Sequence, residues 1–211
     1  MKLYTYFRSS AAFRVRIALN LKGIAYEPQV VWLPEGQQKS DAYRQINPQN
    51  LVPTLIDDGE RLSQSMAIIE YIDETHPEPA LLPKEPLHKA RVRSLSQLIA
   101  CDIHPINNLR ILKYLKSELH QDQATIDTWY RHWCVEGLSA YERQLEEWQT
   151  GEFSYGSAVT MADICLVPQV FNAKRFEVDM HQFPKTLSVF NHVMQIPAFD
   201  IAQPSKQPDA Q

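Results

Sequence analysis

Four prolines in the stretch Pro77-Glu78-Pro79-Ala80-Leu81-Leu82-Pro83-Lys84-Glu85-Pro86 stiffen a link between two parts of the chain with unlike character. Before it, strand and helix signals alternate. After it, helical periodicity dominates and no convincing strand is found. The boundary predicts an α/β domain over residues 1–83 and an all-helical domain over residues 87–211.

In the first part, Lys2–Tyr6 reads as a strand, followed by a helix from about Ser10 to Lys22 with Gly23 as its stop. Tyr26–Trp32 reads as a second strand and Asp41–Ile46 as a short helix. Thr54–Asp57 and Arg61–Ser63 flank Asp57-Asp58-Gly59-Glu60, a strong hairpin signal. Ser65 then caps a helix that buries Ile68, Ile69 and Ile72 and ends before His76-Pro77.

In the second part, Leu87–Leu119 has a helical pattern that Pro105 must kink or break. Thr125–Trp148 follows at helical spacing. Thr160-Met161-Ala162-Asp163 is a capping sequence that opens a buried helix over Ile164–Ala173. Pro184–Met194 supplies a further helix, and the tail Gln203–Gln211 reads as extended.

Bulk properties narrow the function. A net charge of −4 over 211 residues argues against a general nucleic-acid or membrane-surface binder. No apolar run approaches the ~20 residues that span a bilayer. The first residues read as a strand, without a secretory leader pattern, and Cys101, Cys134 and Cys165 are scattered as free thiols are in a reducing compartment. The expectation is a cytoplasmic protein without a metal, since no metal-ligand spacing is present.

Three short signals point to a site. Ser9-Ser10 lies at a strand-to-helix turn, where hydroxyls sit beside orphan N–H groups and the positive end of a helix dipole. The pair caps the helix, holds an anion, or does both. Val52-Pro53 enters a strand where Pro53 cannot donate. An ordinary trans proline and a cis bond that exposes the Val52 backbone to an extended ligand both fit. Gln64-Ser65 opens the next helix, as a simple cap or as a carboxylate pocket.

With these pieces in this order, the chain resembles the glutathione transferase superfamily, in particular its zeta class and the bacterial glutathione-dependent isomerases. The match runs through Tyr6-Phe7-Arg8-Ser9-Ser10, Arg14-Val15-Arg16-Ile17-Ala18-Leu19, Asn47-Pro48, Val52-Pro53-Thr54-Leu55 and Gln64-Ser65-Met66-Ala67. It continues in Leu81-Leu82-Pro83, Val159-Thr160-Met161-Ala162-Asp163, Val167-Pro168-Gln169-Val170 and Gln207-Pro208-Asp209. The resemblance implies a thioredoxin-like N-terminal domain, an all-α C-terminal domain and a homodimer. It implies glutathione as cofactor: Val52 pairs with the cysteinyl part before a cis Pro53, Gln64 and Ser65 hold the γ-glutamyl carboxylate, Gln38 meets the glycyl end, and Ser9 and Ser10 face the sulfur.

Serine and backbone donors at a helix start would favour the thiolate over the thiol, whose free pKa is near 8.5. The zeta pattern usually reads Ser-Ser-Cys; here Ala11 stands third, which excludes a mixed disulfide at that position. On the substrate side, Cys101–Arg110 looks like the corresponding stretch of bacterial maleylpyruvate isomerases, with His104 where the wider class commonly has glutamine. His104 and Asn108 flank the Pro105 break near the cofactor.

Arg8, Arg110 and Arg175 would suit a substrate with two carboxylates, because guanidinium binds carboxylate in a bidentate fashion. Ordinary surface ion pairs are the alternative for Arg110 and Arg175. Arg14 is read as a site residue, grouped with Ser9 and Ser10 as catalytic, and Arg16 as structural; a solvated helix face is the alternative for both. The implied reaction is cis–trans isomerisation of maleylacetoacetate to fumarylacetoacetate in aromatic amino acid catabolism. Maleylpyruvate isomerisation, general glutathione conjugation and a non-catalytic interaction module are the alternatives.

Overall fold

In the computed structural model, which describes residues 1–210, the chain forms two compact units. One comprises Met1–Leu81 together with the residues from Gln195 onward, and the other Leu82–Met194.

The first unit is built on β1 (Lys2–Thr5), α1 (Ser10–Leu21), β2 (Glu27–Val30), α2 (Asp41–Arg44), β3 (Thr54–Asp57), β4 (Glu60–Ser63) and α3 (Ser65–Thr75). The strand order is β2-β1-β3-β4. β1 pairs parallel with β2, with Leu3 opposite Pro28, and antiparallel with β3, with Leu3 opposite Leu55. Pro28 is tolerated because β2 is an edge strand. β2 is shorter than its apolar pattern predicts. Val31 still donates to the Thr5 carbonyl at 2.9 Å, but the Trp32 N–H turns to Gln37 Oε1 at 2.8 Å, which takes the chain off the sheet.

The predicted hairpin forms. Asp58 and Gly59 both have positive φ, +47° and +86°, the backbone that a two-residue turn between twisted antiparallel strands requires. Both main helices bury their apolar side chains: Ile17, Leu19, Ile68, Ile69 and Ile72 are fully covered where α1 meets α3. The Lys22 ammonium closes this unit, donating to Asp73 Oδ1 and to the carbonyls of His76 and Pro79, each at 2.6 Å. Asp73 Oδ1 also accepts from the Leu81 N–H at 2.8 Å, tying the prolines of the link to the end of α3.

The second unit contains α4 (Pro86–Gln97), α5 (Leu109–Ser117), α6 (Gln123–Glu147), α7 (Met161–Arg175) and α8 (Pro184–Val193). The predicted Leu87–Leu119 helix is broken rather than kinked. α4 widens into a π-helical turn over Leu98–Ile103, whose last hydrogen bond runs from the His104 N–H to the Ile99 carbonyl at 2.9 Å. Pro105 has no N–H with which to continue. Gly137 on α6 permits this turn to pack closely, since a Cβ there would lie 2.3 Å from Ile103 Cγ1. α7 is the central helix, and its predicted Asp163 is fully buried: Oδ2 accepts from the Thr160 N–H and hydroxyl at 2.8 and 3.0 Å, and Oδ1 from the Ser154 N–H at 2.7 Å.

Two expectations need correction. The residues from Gln195 onward group with the first unit, whereas the sequence reading placed all of 87–211 in the helical domain. The tail is not extended: α9 (Pro197–Asp200) and a 3₁₀ turn over Pro204–Lys206 fold it back, leaving Gln211 outside the described residues. The cause is a set of long-range anchors. Asn20 donates to the Ala198 carbonyl and Arg16 Nε to the Ala202 carbonyl, both at 3.1 Å.

Candidate functional site

The loop between β1 and α1 turns on a bond from the Ser9 N–H to the Tyr6 carbonyl at 2.9 Å. Ser9 Oγ accepts from the Ala12 N–H at 3.2 Å, so the serine does cap α1. That bond uses Oγ as an acceptor only. Among the described residues the Ser9 hydroxyl hydrogen and the Ala11 N–H have no protein acceptor. Two donors therefore lie at the positive end of a 12-residue helix, a place that stabilises an anion. Ser10 is buried, 7 % exposed, whereas Ser9 is half-buried and open. Ser9 is the more open of the two serines.

The Val52–Pro53 peptide is cis. Val52 is 8 % exposed, yet among the described residues neither its N–H nor its C=O finds a hydrogen-bond partner. Buried backbone groups are nearly always paired, so this peptide has an N–H and a C=O available to an extended partner. Its neighbour is held firmly: the Leu51 carbonyl accepts from the Tyr43 hydroxyl at 2.7 Å and from Asn47 Nδ2 at 2.9 Å. Burial pushes the Tyr43 hydroxyl up to about 12, which keeps it a neutral donor.

Gln64 has φ +70°, a left-handed conformation that a residue with a Cβ rarely adopts, and its side chain does not cap α3. Its Nε2 instead donates to Gln49 Oε1 at 2.9 Å. Ser65 Oγ accepts from Arg14 at 3.1 Å. Arg14 was grouped with the catalytic serines; the structure puts its guanidinium at the start of α3, and its 2 % exposure overturns a solvated helix face. Arg16 is structural as read, but bonded to main-chain carbonyls rather than ion-paired at a surface. Gln38 lies on the 3₁₀ turn Gln37–Lys39, and its Oε1 is buried without a partner.

The remaining predicted residues belong to the second unit. Asn108 caps α5 with Oδ1, which accepts from the Arg110 N–H at 3.1 Å, and its Nδ2 lies 3.4 Å from His104 Nε2. Arg110 is exposed on α5. Arg175 ends α7, with its guanidinium 4.9 Å from the Phe176 ring centre. Tyr130 stacks on the same ring at 3.5 Å. Arg8, in the first unit, is exposed and lies 5.0 Å from the Phe7 ring centre. A surface groove of about 690 Å³ on α4, lined by Lys84, Lys89, Arg93 and Gln144 among others, contains none of the predicted residues.

Comparison with known proteins agrees with this geometry. The glutathione S-transferase N-terminal domain family matches residues 3–80. A probable maleylacetoacetate isomerase of Vibrio cholerae is 46% identical over 210 residues, covering 99% of this chain and 97% of that protein. The solved holo structure of a maleylpyruvate isomerase, a bacterial zeta-class glutathione transferase, superposes with a TM-score of 0.98 at 44% identity, covering 100% of both chains. The chain belongs to the zeta-class glutathione transferases. Another member, the maleylacetoacetate isomerase of Methylobacterium extorquens AM1 solved with malonate and glutathione, is 40% identical with a TM-score of 0.97, covering 100% of both chains.

Sequence reasoning missed two polar contributors in this zeta-class transferase. Gln49 receives the Gln64 amide, and Asn50, at φ +57°, keeps a buried Oδ1 without a partner. Their signal was their place in Asn47-Pro48-Gln49-Asn50, directly before Val52-Pro53. Asp209 was also missed as a contributor; its carboxylate accepts from the Phe7 N–H at 2.9 Å across 202 positions, and no local pattern could reveal that. Among the described residues no group of three or more His, Cys, Asp or Glu is arranged to hold a metal, and no helix is long and apolar enough to cross a membrane.

Proposed function

We propose that this zeta-class transferase is a glutathione-dependent cis–trans isomerase of a maleyl dicarboxylate, with maleylacetoacetate as first substrate. The observation that carries the reading is the open Val52 peptide in the same unit as the uncommitted Ser9 and Ala11 donors. One fits the backbone of a short peptide and the other an anionic sulfur, which are the two features of glutathione.

Bound glutathione supplies a thiolate that adds to the cis double bond, permits rotation and departs, so it is not consumed. Ser9 donates its hydroxyl hydrogen to the sulfur and lowers the thiol pKa, and the Ala11 N–H adds a second donor. The Val52 N–H and C=O pair with the cysteinyl backbone and fix the sulfur's position. Ser65, backed by Arg14, meets the γ-glutamyl carboxylate with Gln64, while Gln38 meets the glycyl end.

Arg8, Arg110 and Arg175 hold the two carboxylates of the substrate and offset the negative charge that develops during addition. The Methylobacterium relative was solved with bound glutathione and malonate, a dicarboxylate, which supports this substrate class. The His104-Pro105 pair, which resembles that of bacterial maleylpyruvate isomerases, supports a second reading, maleylpyruvate. A homodimer in a reducing cytoplasm completes the proposal; Cys134 and Cys165 are buried free thiols and Cys101 is exposed and free.

Steady-state rates on both substrates, with glutathione assayed before and after many turnovers, test the reading. A higher kcat/KM for maleylacetoacetate and full recovery of glutathione are expected. A higher kcat/KM for maleylpyruvate reverses the substrate order, and net glutathione consumption favours a conjugating transferase.

A further inference from the structure

The loop that carries Ser9 is supported by the last residues of the chain. The Phe7 peptide is held from both sides: its N–H donates to Asp209 Oδ2 at 2.9 Å, and its C=O accepts from Arg16 at 3.1 Å. Arg16 itself is fully buried. It also donates to the Ala202 carbonyl and to Thr5 Oγ1, both at 3.1 Å, and to the Tyr6 carbonyl at 3.4 Å. That same Tyr6 carbonyl accepts the Ser9 N–H that closes the turn.

Charge reinforces the arrangement. Burial lowers the Arg16 guanidinium to about 10, with Tyr26 and then Asp209 acting against this, so Arg16 remains charged at neutral pH. Beside this clamp, Ala210 packs on the cluster of Tyr6, Phe7, Val31, Tyr43 and Val52. The tail therefore reaches both halves of the proposed sulfur site, the Ser9 turn and the Val52 loop.

We propose that Asp209 is a positioning residue for the sulfur end of the site: its carboxylate, with Arg16, clamps the Phe7 peptide and so sets the turn that presents the Ser9 hydroxyl. The proposal rests on the assignment of that hydroxyl to the glutathione sulfur. In this role Asp209 acts through the Phe7 backbone on the Ser9 turn. A clamp of this kind matters because small displacements of an aligned donor cost rate steeply.

The test compares the full-length parent with Asp209→Ala and Asp209→Asn. The readouts are kcat, KM for glutathione, thermal midpoint, and the pH titration of bound glutathione followed by thiolate absorbance. Asp209→Ala is expected to raise the bound thiol pKa by about one unit and lower kcat about tenfold, with KM for glutathione changed less than about threefold. Asp209→Asn keeps an oxygen acceptor for the Phe7 N–H and is expected to stay within about threefold of the parent kcat. An unchanged thiol pKa in Asp209→Ala overturns the proposal, even if the thermal midpoint falls, because the tail would then be a structural brace only. An Asn variant as impaired as the Ala variant overturns the acceptor role. A parent that binds glutathione without any thiolate signal overturns the Ser9 assignment itself, an outcome distinct from either.

Discussion

The guanidinium of Arg14 donates to the Ser65 hydroxyl oxygen at 3.1 Å, joining α1 to the first residue of α3. The Ser65 hydroxyl hydrogen is left to donate elsewhere, with a buried positive charge behind it. A carboxylate at the start of α3 would meet both, together with the helix dipole. Ser65→Ala is expected to raise KM for glutathione about fivefold, roughly 1 kcal/mol, with a smaller change in kcat. In a double-mutant cycle with Arg14→Lys, the two losses should fall short of additivity. Additive losses would mean that the residues act separately.

Ser9→Ala removes the hydroxyl donor but leaves the Ala11 N–H and the helix start. The expected loss in kcat is about a hundredfold, as for removal of one preorganised donor, with the fold retained by circular dichroism. A near-normal kcat would move the activating role to backbone groups.

Ala11→Cys restores a thiol beside Ser9. Incubation with oxidised glutathione should then add one glutathionyl group at residue 11, read by mass spectrometry of the digest, where the parent gains none. Absence of the adduct would place residue 11 away from the bound sulfur.

Gly137→Ala tests the close packing of α6 on the π-helical turn. The new Cβ would lie 2.3 Å from Ile103 Cγ1 and 2.4 Å from Cδ1, and a buried β-branched side chain has little room to yield. A loss of about 1–3 kcal/mol in urea unfolding is expected, despite alanine's better helix propensity. A gain in stability would show that Ile103 repacks freely.

Alkaline stability should carry the signature of buried acids. Burial raises the Cys134 thiol from 9.0 to about 11, partly offset by a hydrogen bond from Gln169. In the folded state the thiol holds its proton longer than in the unfolded chain. Its contribution is therefore complete below about pH 9 and lost as pH rises towards 11, amounting to about 2–3 kcal/mol. Tyr43, pushed up to about 12, extends the decline. Urea midpoints measured from pH 8 to 11 should fall in the parent and fall less in Cys134→Ala; equal slopes would remove Cys134 as the cause.

The features legible in the sequence were those whose partners lie close along the chain. Asp58-Gly59 dictates its own turn, Thr160 and Asp163 are one helical turn apart, and Pro105 disrupts its own helix. The Val52-Pro53 and Gln64-Ser65 signals were legible as motifs, but their chemistry became visible only once hydrogen-bond partners could be assigned around them. Arg14 and Arg16 were ambiguous for a physical reason. Charged residues within a helix usually reach solvent, but α1 is covered on nearly every side, so both are buried and bonded. The folded tail was illegible because Arg16–Ala202 and Phe7–Asp209 join positions 186 and 202 apart.

The last of these pairs also orders events during synthesis. Phe7 and Asp209 are 202 positions apart, so the turn bearing Ser9 lacks its clamp until synthesis has passed Asp209. A nascent chain can complete its helical unit and its sheet while this turn is still unsupported. The support of this turn would then come after the folding of the elements around it.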